Sequence, residues 1–160
     1  MNLEKLKQQL IIDEGVKYQV YLDSKGLPTF GVGHLLTEKD AEWYPYKNLP
    51  KDGTLTVSKE RVEQVLEKDI SIACKDCKKV FPDFEVHPSE VQEIIANMMF
   101  NLGFPRFVKF INFIAQINDD NYKLAAREMR NSAWYSQVGD RAKRLVARMD
   151  KIANDTLCHV

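Results

Sequence analysis

The sequence predicts a mostly helical α+β fold, with a small N-terminal lobe, a long connecting helix and a helical C-terminal lobe. Three observations predict it. Alternation of apolar and polar residues is confined to residues 17–34, helical spacing governs the rest, and 160 residues suit a single domain. The lobes are expected at about residues 13–58 and at 81–160 together with 1–12, and residues 58–80 form the connecting helix.

Each element has its own local signal. The first helix has apolar residues at helical spacing, and Gly15 follows it as a natural C-cap. The predicted N-terminal elements are a helix over 3–14, a strand over 17–22, a turn at 23–26 and a second extended run over 28–34, which together indicate a β-hairpin. The remaining predicted helices cover residues 58–79, 89–102, 106–114, 120–131, 133–138 and 140–153, with at most a short helix within 38–53.

The composition is that of an ordinary globular protein. Hydrophobic residues make up 44% and charged residues 29%, and 23 basic groups balance 23 acidic ones. No apolar run approaches the ~20 residues of a membrane span, and the charged N-terminus does not resemble a secretory signal, so we expect no membrane insertion. Residues 98–160 carry ten basic and six acidic groups, and this third could meet an anionic polymer.

No metal centre and no cofactor are expected. Cys74 and Cys77 have a CxxC spacing, but they lie in a helical pattern, and zinc would need two further ligands nearby. With Cys158 the cysteines are odd in number, so reduced thiols in a cytosolic fold are expected. The three histidines, His34, His87 and His159, are scattered along the chain.

Two carboxyl groups near the first helix and the hairpin are candidates for acid–base chemistry. Glu14 falls on the last turn of the predicted helix, where the negative end of the helix dipole disfavours an ionised carboxylate. Asp23 stands at a polar turn, where it should stay ionised. Two carboxyls with different proton affinities make an acid and a base. A helix-end glutamate and a turn aspartate without any catalytic role are the structural alternative.

The second extended run adds a hydroxyl to this pair. By period two, Thr29 shares one face with Gly31 and Gly33. Glycines on that face would let a bulky ligand approach the backbone closely. A three-residue hairpin loop would pair Tyr21 with Thr29 and bring both to the side of Asp23.

The spacing of these residues is specific. Asp23 follows Glu14 after eight residues, Thr29 follows after five more, and Gly-Val-Gly-His-Leu then occupies residues 31–35. This pattern, with Asn-Met-Met-Phe-Asn-Leu-Gly at 97–103, Trp-Tyr at 134–135 and Arg-Ala-Lys-Arg at 141–144, closely resembles the phage lysozymes of the T-even type, glycoside hydrolase family 24.

The resemblance implies a lysozyme-like fold and a muramidase. Such an enzyme hydrolyses the β-1,4 bond between N-acetylmuramic acid and N-acetylglucosamine in peptidoglycan. It also implies an endolysin that waits in the host cytoplasm until the membrane is breached. We further expect a monomer that binds glycan strands, without nucleic acid or cofactor.

By this resemblance Glu14 would be the general acid that protonates the leaving oxygen. Asp23 would orient a water molecule on the opposite face of the sugar, and Thr29 would hold that water. The family resemblance suggests inversion at the anomeric carbon, for which the two carboxyl groups stand ~6.5–9.5 Å apart.

Other positions match the family or depart from it. Leu35 and Phe100 match positions that line the saccharide cleft, and Arg141 resembles an arginine that meets the catalytic glutamate. Phe113 stands where a small hydroxyl residue is usual, and Glu128 where an amide is usual, so both departures concern the outer subsites. The balanced net charge is also unusual, and we expect a mild salt dependence.

Asp69 lies on the apolar stripe of the 58–79 helix, where a carboxylate needs a partner. His34, at the exit of the hairpin, is the candidate partner, in a pair that would be structural rather than catalytic. Three other functions compete with hydrolysis: a lytic transglycosylase, a nucleic-acid binder that uses the basic residues of 141–148, and a catalytically inactive wall-binding module.

Overall fold

The computed structural model describes residues 1–157, so Cys158 and His159 lie outside the described residues. The N-terminal elements are α1 (Leu3–Glu14), β1 (Lys17–Leu22), β2 (Pro28–Gly31), β3 (His34–Leu35), α2 (Trp43–Lys47) and the long α3 (Lys59–Val80). After a 3-10 turn at Phe84–Val86 come α4 (Ser89–Leu102), α5 (Phe104–Phe107), α6 (Ile111–Asn118), α7 (Tyr122–Arg130), α8 (Ala133–Val138) and α9 (Asp140–Leu157). The predicted α+β class is confirmed. No helix in this part of the chain is both long and apolar enough to cross a bilayer.

Backbone contacts divide the chain into two compact units. The N-terminal unit comprises Lys7–Ser71, and the C-terminal unit comprises Met1–Leu6 together with the chain from Ile72 onward. Both boundaries fall inside helices, so α1 and α3 each contribute to both units. The lobe boundaries expected from the sequence, at residues 12–13, 58 and 80–81, stay a prediction.

The N-terminal unit contains an antiparallel sheet in the order β1-β2-β3. Tyr21 pairs with Thr29, as the sequence predicts, and the amide of Asp23 donates to the carbonyl of Leu27 at 2.9 Å. The register therefore confirms the three-residue hairpin loop. On the other edge of β1, the amide of Val20 donates to Leu55 at 2.9 Å, and that of Val57 donates to Tyr18 at 2.8 Å.

The extended run expected over residues 28–34 is not one strand. It breaks at Gly31 and Gly33, whose φ angles are +63° and +62°, and the chain turns back to form β3. Left-handed backbone of this kind is accessible to glycine at little cost. The prediction that Gly33 continues the strand of Thr29 and Gly31 is therefore wrong, because the chain turns after Gly31. Close approach of a bulky ligand to these glycines stays a prediction.

The C-terminal unit is built around α4. Residues 91–99 of this helix are all buried, as expected for a helix surrounded by others. Helix α9 packs on α4 and α7, and α6 packs on α7. Phe107 makes edge-to-face contacts with Phe81 and Phe113, at centroid distances of 6.0 and 6.2 Å.

The single helix expected over residues 106–114 is wrong, because the chain breaks it into α5 and α6. Phe107 and Phe113 are both at most 1% exposed. If Phe107 and Phe113 lay six residues apart on one straight helix, their side chains would point about 120° away from each other. The break at 108–110 lets both rings enter the same core and contact each other.

Candidate active site

Glu14 is the last residue of α1 and is half-buried. Gly15 ends the helix with a φ of +72°, and its amide donates to the carbonyl of Ile11 at 2.9 Å. The Glu14 carboxyl group lies against Gly33, where an added Cβ would come within 2.9 Å of Glu14 Oε2. The absence of a side chain at Gly33 therefore provides the space that this carboxyl group occupies.

Asp23 is held by the backbone of its own turn. Its Oδ1 accepts hydrogen bonds from the amides of Lys25 at 2.8 Å and Leu27 at 2.9 Å. This is the usual way in which an aspartate organises a tight turn. The carboxylate consequently has a fixed orientation at the end of β1.

The phenol of Tyr21 is subject to the negative charges of both Glu14 and Asp23. Burial, then the negative charge of Glu14, then that of Asp23 raise the pKa of the Tyr21 phenol. The ammonium of Lys17 lies 4.0 Å from the centre of the Tyr21 ring. Tyr21 was not among the predicted site residues, although its pairing with Thr29 was the signal that could have identified it.

Thr29 lies on β2 opposite Tyr21 and is 4% exposed. Its hydroxyl donates to the carbonyl of Leu27 at 3.1 Å. The Thr29 oxygen therefore has lone pairs available to accept a hydrogen bond, while its proton is already engaged.

His34 contacts two carboxylates, one at each ring nitrogen. Nδ1 lies 2.7 Å from Asp69 Oδ2, which is the contact predicted from the sequence, and Nε2 lies 3.1 Å from Asp40. Burial alone would lower the pKa of His34, but the hydrogen bonds and charges of Asp69 and Asp40 outweigh it and raise that pKa. Asp40 was missed; it also accepts the amide of Thr37 at 2.8 Å, a local turn contact visible only as Thr-x-x-Asp in the sequence.

The remaining predicted site residues lie on both units. Leu35 on β3 is 45% exposed, and Phe100 is half-buried at the end of the otherwise buried α4. Arg141 is 6% exposed, and its Nε donates to Asn97 Oδ1 at 2.9 Å. A contact of Arg141 with Glu14 stays a prediction.

The two described cysteines are a buried Cys77 and a half-buried Cys74 on α3. Burial is the first cause that raises the pKa of each thiol. Both are therefore held in the protonated form, which is the unreactive one.

Comparison with known proteins places these residues in a family. The phage lysozyme family matches residues 12–151. A probable T4-type lysozyme 1 of Dictyostelium discoideum is 30% identical, over 89% of this chain and 91% of that protein. The pre-baseplate central spike protein Gp5 of Enterobacteria phage T4 is 28% identical, over 88% of this chain and 26% of its own length. The peptidoglycan hydrolase gp36 of Pseudomonas phage phiKMV is 28% identical over 143 residues, 89% of this chain and 15% of its own.

The fold and these matches define a glycoside hydrolase of the lysozyme type, an enzyme that degrades peptidoglycan. The chain belongs to the phage lysozyme family, whose match extends over both units and includes Glu14, Asp23 and Thr29.

Proposed function

We propose that this lysozyme hydrolyses the β-1,4 bond between N-acetylmuramic acid and N-acetylglucosamine, with Glu14 as acid and Asp23 and Thr29 at the attacking water. The observation that carries the assignment is geometric: within one compact unit, the Glu14 carboxyl group lies against Gly33, and backbone amides hold Asp23 at the end of the hairpin that pairs Tyr21 with Thr29. The two carboxyl groups come from different elements: Glu14 ends α1 and occupies the space beside Gly33, whereas backbone amides of the hairpin turn hold Asp23.

The reaction follows from the chemistry of two carboxyl groups. Glu14 gives its proton to the glycosidic oxygen as the bond to the anomeric carbon breaks. Asp23 accepts a hydrogen bond and then a proton from a water molecule whose oxygen attacks that carbon from the opposite face, with inversion. Thr29 accepts the second hydrogen bond of the water. Proton exchange with solvent returns both carboxyl groups to their starting forms.

The same proposal extends to biology and to substrate contacts. The exposed Leu35 and the half-buried Phe100 would contact sugar rings, as the family resemblance implies. We propose an endolysin that acts on the wall from the host cytoplasm as a monomer, without nucleic acid. Gel filtration tests whether the protein is a monomer, and a DNA-binding titration with added salt tests whether it binds nucleic acid.

Glu14→Gln is the deciding variant, because it keeps the shape of the side chain and removes the acidic proton. We expect lysis of permeabilised Gram-negative cells, followed as a fall in turbidity, to slow by about 10²- to 10⁴-fold. Glu4→Gln, an exposed change in the first turn of the same helix, is the control and should leave lysis unchanged. Lysis by Glu14→Gln at a near-normal rate would contradict the assignment.

The products separate hydrolysis from its nearest alternative. Hydrolysis leaves a reducing sugar end, whereas a lytic transglycosylase leaves an anhydro end that is lighter by one water. We expect mass spectrometry of the released fragments to find reducing ends, and NMR of the first product formed to find the α anomer. A first product in the β configuration would replace inversion with retention.

A further inference from the structure

One segment of the C-terminal unit is both apolar and basic. Residues 103–118 contain four phenylalanines, three isoleucines and a valine, with two cations and no acidic residue. The segment covers α5, the break that follows it and α6, and it belongs entirely to the C-terminal unit. In a chain whose formal net charge is zero, such a segment concentrates apolar and positive groups in one place.

Part of this apolar set faces outward rather than into the core. Phe104 and Val108 are each 36% exposed, and Ile111 is 72% exposed. The amide of Val108 donates to the carbonyl of Phe104 at 3.1 Å, so these two side chains are one helical turn apart on the same side of the chain. Ile111 begins α6 three residues later. Exposed apolar side chains that recur within a short segment mark an interaction surface.

The two cations of the segment are exposed and make no ion pair. Neither Arg106 nor Lys109 lies within 4.0 Å of a carboxylate among residues 1–157. The half-buried Glu128 lines the same cavity as Lys109 but stays beyond that distance. Both positive charges are therefore available to an anionic partner.

A third cation lies beside the ring of Phe104. The ammonium of Lys79, on α3, is 5.5 Å from the ring centre, which is within the range of a cation–π interaction. Lys79 also pairs with Asp76 at 2.9 Å, so the charge of that carboxylate is already compensated. The 104–111 surface consists of five exposed side chains, apolar and basic in turn: Phe104, Arg106, Val108, Lys109 and Ile111.

We propose that the 104–111 surface binds the face of an anionic phospholipid bilayer, without spanning it. Its apolar side chains enter the boundary between head groups and acyl chains, and its arginine and lysine meet the lipid phosphates. A soluble polyanion would satisfy the two charges but leave the apolar side chains in water. The inference goes beyond the proposed hydrolysis and does not rest on it.

Co-sedimentation of the full chain with lipid vesicles measures this binding. We expect the chain to bind vesicles made of equal parts phosphatidylglycerol and phosphatidylcholine, and to bind pure phosphatidylcholine at least about tenfold more weakly. Each cation near an anionic surface contributes about fivefold, which is the reason for the difference. Added salt should weaken binding to the anionic vesicles. Equal binding to both kinds of vesicle, or binding to neither, would overturn the proposal.

The double variant Arg106→Gln, Lys109→Gln tests the charges of the surface. It should bind anionic vesicles about 10- to 30-fold more weakly than the unchanged chain. The matched control is Arg127→Gln with Lys143→Gln, which removes one exposed arginine and one exposed lysine elsewhere on the same unit. An equal loss in this control would mean that binding follows the general positive charge of the unit, and the assignment to the 104–111 surface would fail.

Ile111→Ser tests the apolar part of the surface. It should weaken vesicle binding about tenfold, because the aliphatic side chain no longer leaves water for the bilayer. Ile12→Ser is the matched control and should bind normally, since Ile12 is 70% exposed, as against 72% for Ile111, and belongs to the other unit. Thermal unfolding checks that both variants are folded. Normal binding by Ile111→Ser, with a loss only in the charge variant, would indicate a site for soluble polyanions and overturn the proposal.

Discussion

Gly33 carries two separate constraints at a single residue. Its φ of +62° is left-handed, and an added Cβ would lie 2.9 Å from Glu14 Oε2. The first constraint concerns the turn between β2 and β3, and the second concerns the candidate general acid. The sequence revealed that glycines recur here, but not what they approach, because the close neighbour is a side chain 19 positions earlier that only the folded chain brings near.

Gly33→Ala should therefore affect stability and catalysis together. We expect a loss of about 1–2 kcal/mol in the free energy of unfolding from the left-handed backbone. We also expect kcat to fall at least tenfold, because displacing a catalytic group by ~1 Å can cost 10²-fold. Denaturant unfolding and wall-lysis kinetics measure the two effects.

Gly139→Ala is the matched control for this variant. Gly139 has a φ of +70°, and an added Cβ there would meet nothing within 4 Å. Because the ψ of Gly139 is −126°, in backbone that is nearly exclusive to glycine, this variant should lose at least as much stability, with unchanged kcat. Equal kcat values for both variants would mean that Gly33 does not position Glu14.

At the scale of elements, His34 joins β3, the turn after it and α3 through Asp40 and Asp69. The contact with Asp69 was predictable, because a carboxylate on an apolar helix stripe needs a partner. The observed bounds of α4 and α8 were also predictable. Helix α4 lies between Pro88 and Gly103. Helix α8 is capped by Ser132 and followed by Gly139. The division of α5 from α6 was not predictable from the sequence, because it depends on the contact between the rings of Phe107 and Phe113 in the core.

The His34 contacts should make stability depend on pH in one direction. Because the folded pKa of His34 is raised, its contribution is fully present below the unfolded value of about 6.5 and is lost as pH rises through the folded pKa. We expect His34→Gln to destabilise the chain most near pH 5, with the difference shrinking at alkaline pH. Urea unfolding across this range measures it.

NMR titration of the His34 ring provides a separate check on the cause. Asp40→Asn removes one of the two carboxylates and should lower the pKa of His34. The double variant Asp40→Asn, Asp69→Asn removes both carboxylates and should lower the His34 pKa further. An unchanged His34 titration in both variants would show that these carboxylates do not hold the imidazolium.

At the scale of the whole molecule, the first residues of the chain belong to the C-terminal unit. Lys5 Nζ lies 2.8 Å from Glu90 Oε2 on α4, and Arg148 Nε on α9 lies 2.6 Å from Glu90 Oε1. The hydrogen bond from Arg148, opposed by burial and supported by Lys5, lowers the pKa of Glu90 to about 2. The sequence predicted that residues 1–12 belong with the C-terminal lobe, but no local signal identified Glu90 as the contact of both Lys5 and Arg148, because these three residues are far apart in the sequence.

Glu90→Gln should consequently destabilise the chain in a pH-dependent way. The pKa of Glu90 is lower in the folded chain than its ordinary value of 4.5. The contribution of the Glu90 carboxylate to stability is therefore present above pH 4.5 and is lost as pH falls toward 2. We expect the difference in free energy of unfolding from the unchanged chain to be largest above pH 5 and to vanish near pH 2.

Glu85→Gln is the control for the Glu90 variant, because Glu85 pairs with Lys78 at 2.8 Å while its side chain is 74% exposed. An exposed pair contributes little to stability. A pH-dependent loss in Glu85→Gln as large as that in Glu90→Gln would contradict a special role for the Lys5–Glu90–Arg148 contacts.

The split of α1 between the two units has a consequence for biosynthesis. A nascent chain that has left the ribosome as far as Ser71 carries every residue of the N-terminal unit. Lys5, by contrast, meets Glu90 only after 85 further residues have been translated, and α9 comes later still. Residues 1–6 therefore cannot complete their contacts in the C-terminal unit until α4 and α9 have both been translated.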